Sequence, residues 1–288
     1  MIKAFTSFIK ENALFPDSGR ILLAVSGGMD SIAMAELFSR TSFQFAMVHC
    51  NFKLRGEDAD ADEIFVKQTA ERYGVECYTR SFNTAEIAAD KGDSIQMTAR
   101  DLRYDFFNEI ADQYAFDYIA TAHHLDDQIE TFFINLMRGC GISGLHGIPV
   151  RHGRIIRPMM FAYRKEIEQF VNDNNLEYRE DHSNQSVKYV RNKVRHELIP
   201  LFLQMNPAFS GEMSANIKRL SDTEKIFRQY IAIKGSEIVE LHDKVIIIDI
   251  ENWNMTIPLR KCKLLLFLLL IFPFSALTAL KDERKKAG

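Results

Sequence analysis

The sequence predicts an α/β protein with a doubly wound, mostly parallel sheet, followed by a smaller, mainly helical domain. Strand-length apolar runs alternate with helical patterns as far as Arg138, the first run passes through a glycine turn into a helix, and the pattern becomes helical beyond Pro200. This alternation implies right-handed crossovers between parallel strands. Ligands of such sheets bind beyond the carboxyl ends of the strands.

The spacing of apolar residues defines each element in turn. A short amphipathic opening leads to a turn at residues 16–19. Short apolar runs bounded by turn residues predict strands at 21–25, 45–48, 75–79, 118–120 and 245–250. Helical periodicity begins near Ser31 and recurs at 58–73, 94–114, 126–138, 163–174 and 213–240. Four glycines between residues 139 and 147 indicate a loop whose backbone comes close to another group.

Composition excludes several classes of protein. The 288 residues are 47% hydrophobic and 26% charged, which suits one large or two unequal folded units and excludes collagen-like and low-complexity chains. The net charge of −3 excludes a uniformly basic nucleic-acid coat but allows a local basic patch. The first eleven residues lack the features of a secretory signal, so we expect a cytoplasmic protein without a membrane anchor.

The cysteines and the apolar tail also bear on the class of protein. Cys50, Cys77, Cys140 and Cys262 stand too far apart for a zinc site or a small disulfide scaffold, and we predict reduced, mostly buried thiols. Residues 264–280 are largely apolar but are interrupted by a proline. They are predicted to form a buried or partner-covered helix rather than a membrane span.

The first predicted strand ends in Ser26-Gly27-Gly28-Met29-Asp30-Ser31, here called the diglycine loop. Two glycines allow a tight turn that aims backbone N–H groups at one point, and the following helix adds its positive dipole end, so a phosphate or pyrophosphate suits the loop. G-x-x-x-x-G-K-[ST] and G-x-G-x-x-G are absent, which argues against simple γ-phosphoryl transfer and a dinucleotide redox cofactor. A glycine turn with a Ser or Asp helix cap is the alternative.

A second candidate site is the acidic segment, His123 to Thr131. Asp127 and Glu130 are three residues apart and share a helix face, and His124 directly precedes the helix. Paired carboxylates suit an ammonium group or Mg²⁺. The alternative is a purely structural role, in which the acidic first turn is exposed to solvent and Asp126 caps the helix. A zinc site is a third, which the adjacent rather than i, i+4 histidines disfavour.

Two arginine pairs could contact phosphates. Arg100 and Arg103 are separated by three positions, and Arg191 and Arg195 by four, so each pair would share a helix face. Helical arginines are more often simply solvated, and that alternative stays open.

The diglycine loop matches the SGGxDS loop of the PP-loop ATP pyrophosphatases, which cleave ATP between its α and β phosphates to adenylate a substrate. This resemblance implies an adenine-nucleotide α-hydrolase-like fold. It also implies that residues 26–31, including Met29, bind ATP, and that Asp30 is catalytic and lies near a Mg²⁺ ion.

The acidic segment resembles the HHxDDQxET motif of the tRNA(Ile)-lysidine synthetases, and further motifs of that family follow in order. The similar stretches are His49–Gly56 (HvnHxLRG), Ala99–Tyr104 (ARxxRY), Arg138–Ile148 (RGxGxxGLxG), Arg157–Ile167 (RP…RxEI) and Asp181–Pro200 (DxSN…YxRNxxRxxxxP). One departure is Phe52, where a second His is common in the family. The resemblance spans residues 19–200.

This narrower resemblance implies a ligase that adenylates the wobble cytidine of the isoleucine tRNA with a CAU anticodon and then joins free L-lysine to its C2, giving lysidine. ATP and Mg²⁺ are the implied cofactors. The implied roles are catalysis by Asp30, Arg100 and His124, lysine binding by His124, Asp127 and Glu130, and RNA or phosphate binding by Arg55, Arg103, Arg191 and Arg195.

Two other functions are alternatives to the ligase. A PP-loop tRNA thiolase would need cysteine pairs that the sequence lacks, and a non-catalytic nucleotide-binding module would not need Asp30.

Residues 1–203 are predicted to be the catalytic domain. Residues 204–288 are predicted to be a helical tRNA-binding domain in truncated form, because the apolar tail fits the family's outer domains poorly. A homodimer is one candidate oligomeric state.

Overall fold

The computed structural model describes residues 1–179, 190–242 and 245–248. The chain divides into two compact units, one made of residues 1–140 and 147–215 and the other of residues 141–146 with the chain from residue 216. The division predicted at residues 203–204 stays a prediction. Cys262, the Asp181–Asn184 motif and the apolar stretch 264–280 lie outside the described residues.

A six-stranded sheet in the order β3-β2-β1-β4-β6-β5 forms the centre of the first unit. Its strands are β1 (Arg20–Ala24), β2 (Gln44–Asn51), β3 (Cys77–Ser81), β4 (Tyr118–Ala120), β5 (Arg151–His152) and β6 (Ile155–Ile156). All neighbouring pairs are parallel except β5 with β6. The predicted fold class is therefore confirmed.

Helices flank the sheet and continue into the second unit. They are α1 (Ile2–Glu11), α2 (Met29–Ser39), α3 (Glu57–Tyr73), α4 (Thr84–Lys91), α5 (Ile95–Gln113), α6 (Leu125–Met137), α7 (Ile142–Leu145), α8 (Arg164–Asp173), α9 (Val190–Lys193), α10 (Ile199–Met205) and α11 (Phe209–Ile238). A π-helical turn, Val194–Leu198, joins α9 to α10, and β7 (Val239–His242) pairs with β8 (Val245–Ile248) as an antiparallel hairpin. No helix of the described ranges is long and apolar enough to cross a membrane.

The core lies on both faces of the sheet. Ile21 and Leu23 of β1 belong to the cluster that contains α1, α2 and α8, whereas Leu22 belongs to the cluster on α5. All three residues have no exposed surface. Burial on both faces explains why the β1 sequence is continuously apolar rather than alternating.

Three details differ from the sequence-based predictions. The strand expected at 75–79 is found at 77–81, because Gly74 ends α3 with φ +67° and pairing to β2 begins with Cys77 opposite Met47. Helix α4 and the β5–β6 hairpin were not predicted, since strands of two residues carry no periodicity. Cys50, Cys77 and Cys140 are free thiols that are largely covered, as predicted.

Glu63 on α3 connects that helix to the edge of the sheet. Its carboxylate accepts hydrogen bonds from Lys67 Nζ at 2.8 Å, Thr79 Oγ1 at 2.9 Å and Asn51 Nδ2 at 3.2 Å. Burial would raise the pKa of Glu63, but these hydrogen bonds outweigh it and lower the pKa to about 2. Ionised Glu63 therefore stabilises the folded chain.

We expect Glu63→Gln to lower the free energy of unfolding at pH 7 by about 1–2 kcal/mol, because one pKa unit corresponds to about 1.4 kcal/mol and solvent screens part of the interaction at this incompletely buried site. A depressed folded-state pKa stabilises above the unfolded value, so the difference from wild type should shrink as pH falls from about 4.5 towards 2. Urea unfolding at several pH values measures it. Glu71→Gln, at an exposed position on the same helix, is the control and should leave the free energy of unfolding at pH 7 close to that of wild type.

Candidate functional site

The diglycine loop connects β1 to α2 and is held by its own serines. Ser31 Oγ donates to the Gly28 carbonyl at 2.8 Å and accepts from the Ser26 N–H at 3.2 Å, and the Gly28 N–H donates to Ser26 Oγ at 3.3 Å. Gly27 has φ +92°, a conformation that L side chains rarely adopt. The turn thus ends at the N-terminus of α2, where an anion is favoured.

We expect Gly27→Ala to destabilise the protein by about 1–2 kcal/mol through backbone strain. A Cβ at Gly27 would meet Phe65 and Val66 at 3.6 Å, an ordinary contact, so the cost comes from the positive φ. Gly28→Ala is the matched control, because Gly28 has φ −74° and its Cβ would lie 3.5 Å from Ser26 Oγ. Thermal unfolding of both variants tests this, and equal melting temperatures would contradict it.

The loop lines a cleft of about 630 Å³ at the carboxyl ends of β1, β2 and β4. A cleft of this size suits a ligand as large as a nucleotide. Its walls contain backbone of the diglycine loop, half-buried aromatic rings and several arginines. The other lining residues include His49, Cys50, Phe52, Arg55, Asp62, Arg103, Tyr104, Phe107, Thr121, His123, Asp127, Arg164, Glu168, Tyr178, Arg179 and Arg191.

Asp30 lies in the first turn of α2 and faces both an arginine and a histidine. Arg164 Nη1 donates to Asp30 Oδ2 at 2.5 Å, and His124 Nε2 is 3.8 Å from the same oxygen. Asp30 Oδ1 is buried and has no hydrogen-bond partner among the described residues. Burial raises the pKa of Asp30, although the charges of His124 and Arg164 oppose the shift.

His124 is a buried imidazole surrounded by three carboxylates. Its side chain is 2% exposed, with Nδ1 3.5 Å from Asp126 Oδ2 and Nε2 3.6 Å from Asp127 Oδ2. Burial alone would lower the pKa of His124, but Asp126, Asp127 and Asp30 together raise it. By contrast, burial lowers the pKa of the adjacent His123 to about 4. The two neighbouring histidines therefore favour different protonation states.

The acidic pair and the second arginine pair, predicted in separate roles, are bound to each other. Arg195 Nε donates to Glu130 Oε1 at 2.6 Å and its Nη2 donates to Oε2 at 3.1 Å, while Nη2 also lies 3.5 Å from Asp127 Oδ1. Arg191 Nε is 3.7 Å from Glu130 Oε2. Glu130 is only 1% exposed. The acidic face of α6 is therefore neutralised by guanidinium groups from the helix segment that begins at Val190.

The structure separates the remaining predicted arginines. Arg103 lines the cleft with its guanidinium 5.1 Å from the centre of the Phe52 ring. Arg55 also lines it and pairs with Asp62. Arg100 is exposed, is not among the lining residues, and its guanidinium lies 5.1 Å from the ring centre of Tyr104.

Asp62, Arg164 and Arg179 were missed as site residues, although all three line the cleft. Arg164 lies within the Arg157–Ile167 stretch, which resembles a motif of the family, so the sequence does contain a signal for it. Asp62 is one of several acids early in α3, and nothing local distinguishes it. Arg179 follows α8 without any motif, so only the folded chain shows its place. The described residues contain no cluster of three or more ligating side chains suited to a metal ion.

Comparison with known proteins decides the family. A profile of the PP-loop domain matches residues 1–202. A tRNA(Ile)-lysidine synthase from Chlorobaculum tepidum is 38% identical over 244 residues, covering 83% of this chain and 73% of that protein. The chain belongs to the tRNA(Ile)-lysidine synthase family. The predicted membership is confirmed, and with it the use of a PP-loop ATP-binding domain.

Other members of the tRNA(Ile)-lysidine synthase family are longer. Those from Bacteroides thetaiotaomicron and Porphyromonas gingivalis are 38% and 41% identical over 232 and 202 residues. The chain spans 54% and 44% of their lengths, about half of each. Among solved structures, a U34-tRNA thiolase from Methanococcus maripaludis has a TM-score of 0.61 at 19% identity, covering 76% of this chain and 77% of that one. That likeness supports the fold alone.

Proposed function

We propose that this chain catalyses the ATP-dependent ligation of lysine to C2 of the wobble cytidine in the isoleucine tRNA with a CAU anticodon. The observation that carries the proposal is one cleft lined by the diglycine loop, with its Asp30, and by Asp127 of α6. An anion-binding turn beside paired carboxylates suits a reaction that joins a nucleotide to an amine. Membership in the tRNA(Ile)-lysidine synthase family supports the same substrates.

The first step is adenylation of the base. The cytosine O2 attacks the α phosphorus of ATP, the bond to the bridging oxygen of the β phosphate breaks, and pyrophosphate leaves. The N–H groups of the diglycine loop and the N-terminus of α2 hold the phosphates. Arg164, which reaches Asp30 at 2.5 Å, is placed to stabilise the charge that develops on them.

Mg²⁺ fits this site through Asp30. Its Oδ1 is a buried carboxylate oxygen without a hydrogen-bond partner among the described residues. Mg²⁺ in proteins is usually held by one or two carboxylates together with substrate phosphates and water. Bound there, the ion would neutralise phosphate charge.

In the second step the lysine ε-amine attacks C2, the C2–O bond breaks, and AMP leaves with that oxygen. The amine must be neutral, whereas the unperturbed pKa of lysine is about 10.4. Asp127 and Glu130 would orient the amine, and Arg195 and Arg191 already balance their charge. Nearby guanidinium groups disfavour a further cation, so they favour the neutral nucleophile.

The test is to incubate the full chain with ATP, Mg²⁺, labelled lysine and an isoleucine tRNA transcript and to look for label in the RNA. Label should enter the CAU transcript and not a transcript with uridine at the wobble position. Absence of label with the CAU transcript, under conditions in which the Chlorobaculum relative incorporates lysine, would reject the proposal.

A further inference from the structure

A buried carboxylate on α3 bridges two arginines at the edge of the cleft. Asp62 is 8% exposed in its side chain; its Oδ2 lies 2.7 Å from Arg55 Nη2, and its Oδ1 accepts from Arg179 Nε at 2.5 Å. The two arginine side chains are 36% and 37% exposed and both line the cleft. The Asp62 cluster, formed by Asp62, Arg55 and Arg179, joins α3 to the segment just before it and to a segment 117 positions further along the chain.

The cluster is tied to the diglycine loop through the main chain. The Arg179 N–H donates to the Gly27 carbonyl at 3.0 Å, and the Arg179 carbonyl oxygen lies 4.0 Å from the position of a Cβ on Gly28. Helix α3 lies against the same turn, because its Phe65 would contact a Cβ at Gly27. Arg179 is therefore held beside the loop by its backbone and by Asp62.

The charges of the cluster favour an anion. Both guanidinium groups carry a positive charge at the wall of the cleft, and that charge attracts phosphate oxygens. A guanidinium has five N–H donors in a planar fork, so an arginine bound to a carboxylate through Nε still has donors for a phosphate. Asp58 adds little opposing charge, since it is 68% exposed and 3.9 Å from Arg179 Nη2.

We propose that Arg179 binds the β and γ phosphates of ATP and that Asp62 is a positioning residue that holds Arg179 and Arg55 for this contact. The proposal rests on the proposed function in that ATP is the substrate. ATP is favoured over the RNA backbone as the source of the phosphates because the Arg179 main chain is bonded to the diglycine loop itself.

The test is equilibrium dialysis of the full chain with ATP and Mg²⁺, in the absence of tRNA and lysine, with AMP as the comparison ligand. Arg179→Gln should weaken ATP binding about tenfold, as expected for a lost charge-assisted hydrogen bond, and leave AMP binding unchanged. Asp62→Asn should shift ATP in the same direction by less. Arg154→Gln is the matched control, since Arg154 is 36% exposed, pairs with Asp112 at 2.6 Å and does not line the cleft.

Three results would overturn the proposal: wild-type ATP affinity in Arg179→Gln, an equal loss for ATP and AMP, or loss of tRNA binding on filters with ATP binding intact. The last would assign the cluster to RNA phosphates. If Asp62→Asn does not fold, Arg179→Gln at its partly exposed position decides alone. Because binding is measured without the reaction, wild-type protein that binds ATP but transfers no lysine would reject the proposed function and not this assignment.

Discussion

Asp30→Ala should reduce tRNA-dependent ATP–pyrophosphate exchange by at least about a hundredfold, the effect typical of losing one electrostatic group at a reaction centre. Asp30 holds Arg164 at 2.5 Å, lies 3.8 Å from His124 and keeps one buried oxygen without a hydrogen-bond partner among the described residues. Its removal takes away the proposed magnesium ligand and releases Arg164 together. ATP–pyrophosphate exchange with labelled pyrophosphate measures the adenylation step directly.

Two further variants test whether the negative charge of Asp30 is what the exchange reaction requires. Asp30→Asn keeps the size of the side chain but not its charge and should lose almost as much exchange. Asp112→Ala removes an exposed carboxylate that pairs with Arg154 and should behave as wild type. Near-normal exchange in Asp30→Ala, with exchange in wild type intact, would show that Asp30 is not catalytic.

Glu130→Gln should lower lysine incorporation at least about tenfold while exchange without lysine changes much less. The carboxylate is 1% exposed and accepts two hydrogen bonds from Arg195, at 2.6 and 3.1 Å. Removing its charge weakens the balance of the Arg195 guanidinium, which is 29% exposed and also lies 3.5 Å from Asp127, so we expect a loss of about 1–3 kcal/mol of stability. Incorporation of labelled lysine at increasing lysine concentrations should show a raised KM, and urea unfolding should show the lower stability.

Measuring pyrophosphate exchange and lysine incorporation separately distinguishes a lysine-binding role of Glu130 from a purely structural one. If Glu130 only supports the fold, exchange and incorporation should fall together and the KM for lysine should stay unchanged, which would contradict the lysine-binding assignment. Glu177→Gln is the control, because that carboxylate is 77% exposed and lies 3.7 Å from Arg72. It should leave both steps and the unfolding free energy unchanged.

Much of the fold was predictable because its signals are local. The apolar run of β1, the two glycines after it and the helical spacing from Ser31 lie within 20 residues of one another, and the structure has strand, turn and helix there. The β5–β6 hairpin was not predictable, since its pairing with β4 depends on a partner more than 30 residues away. Short strands of this kind owe their existence to the sheet that they join.

In the candidate site, too, the features within one segment were predictable from the sequence and the contacts between distant residues were not. The diglycine loop and the acidic segment are contiguous, so their residue types and spacing indicated phosphate and ammonium chemistry. The pairing of Glu130 with Arg195 joins residues 65 positions apart. Sequence spacing predicts phosphate contacts for Arg191 and Arg195, and the structure pairs both with Glu130 on α6 while Arg191 also lines the cleft. Arg195 lies in the π-helical turn that joins α9 to α10.

The amino-acid sequence alone determined the class of fold, the family and the two segments proposed to carry the chemistry, because each depends on residues that are neighbours in the chain. The tertiary structure alone decided which charges meet: Arg164 with Asp30, Arg195 with Glu130, and Arg179 with Asp62. Electrostatic energy depends on distance through space and on burial, and neither quantity is set by separation along the chain.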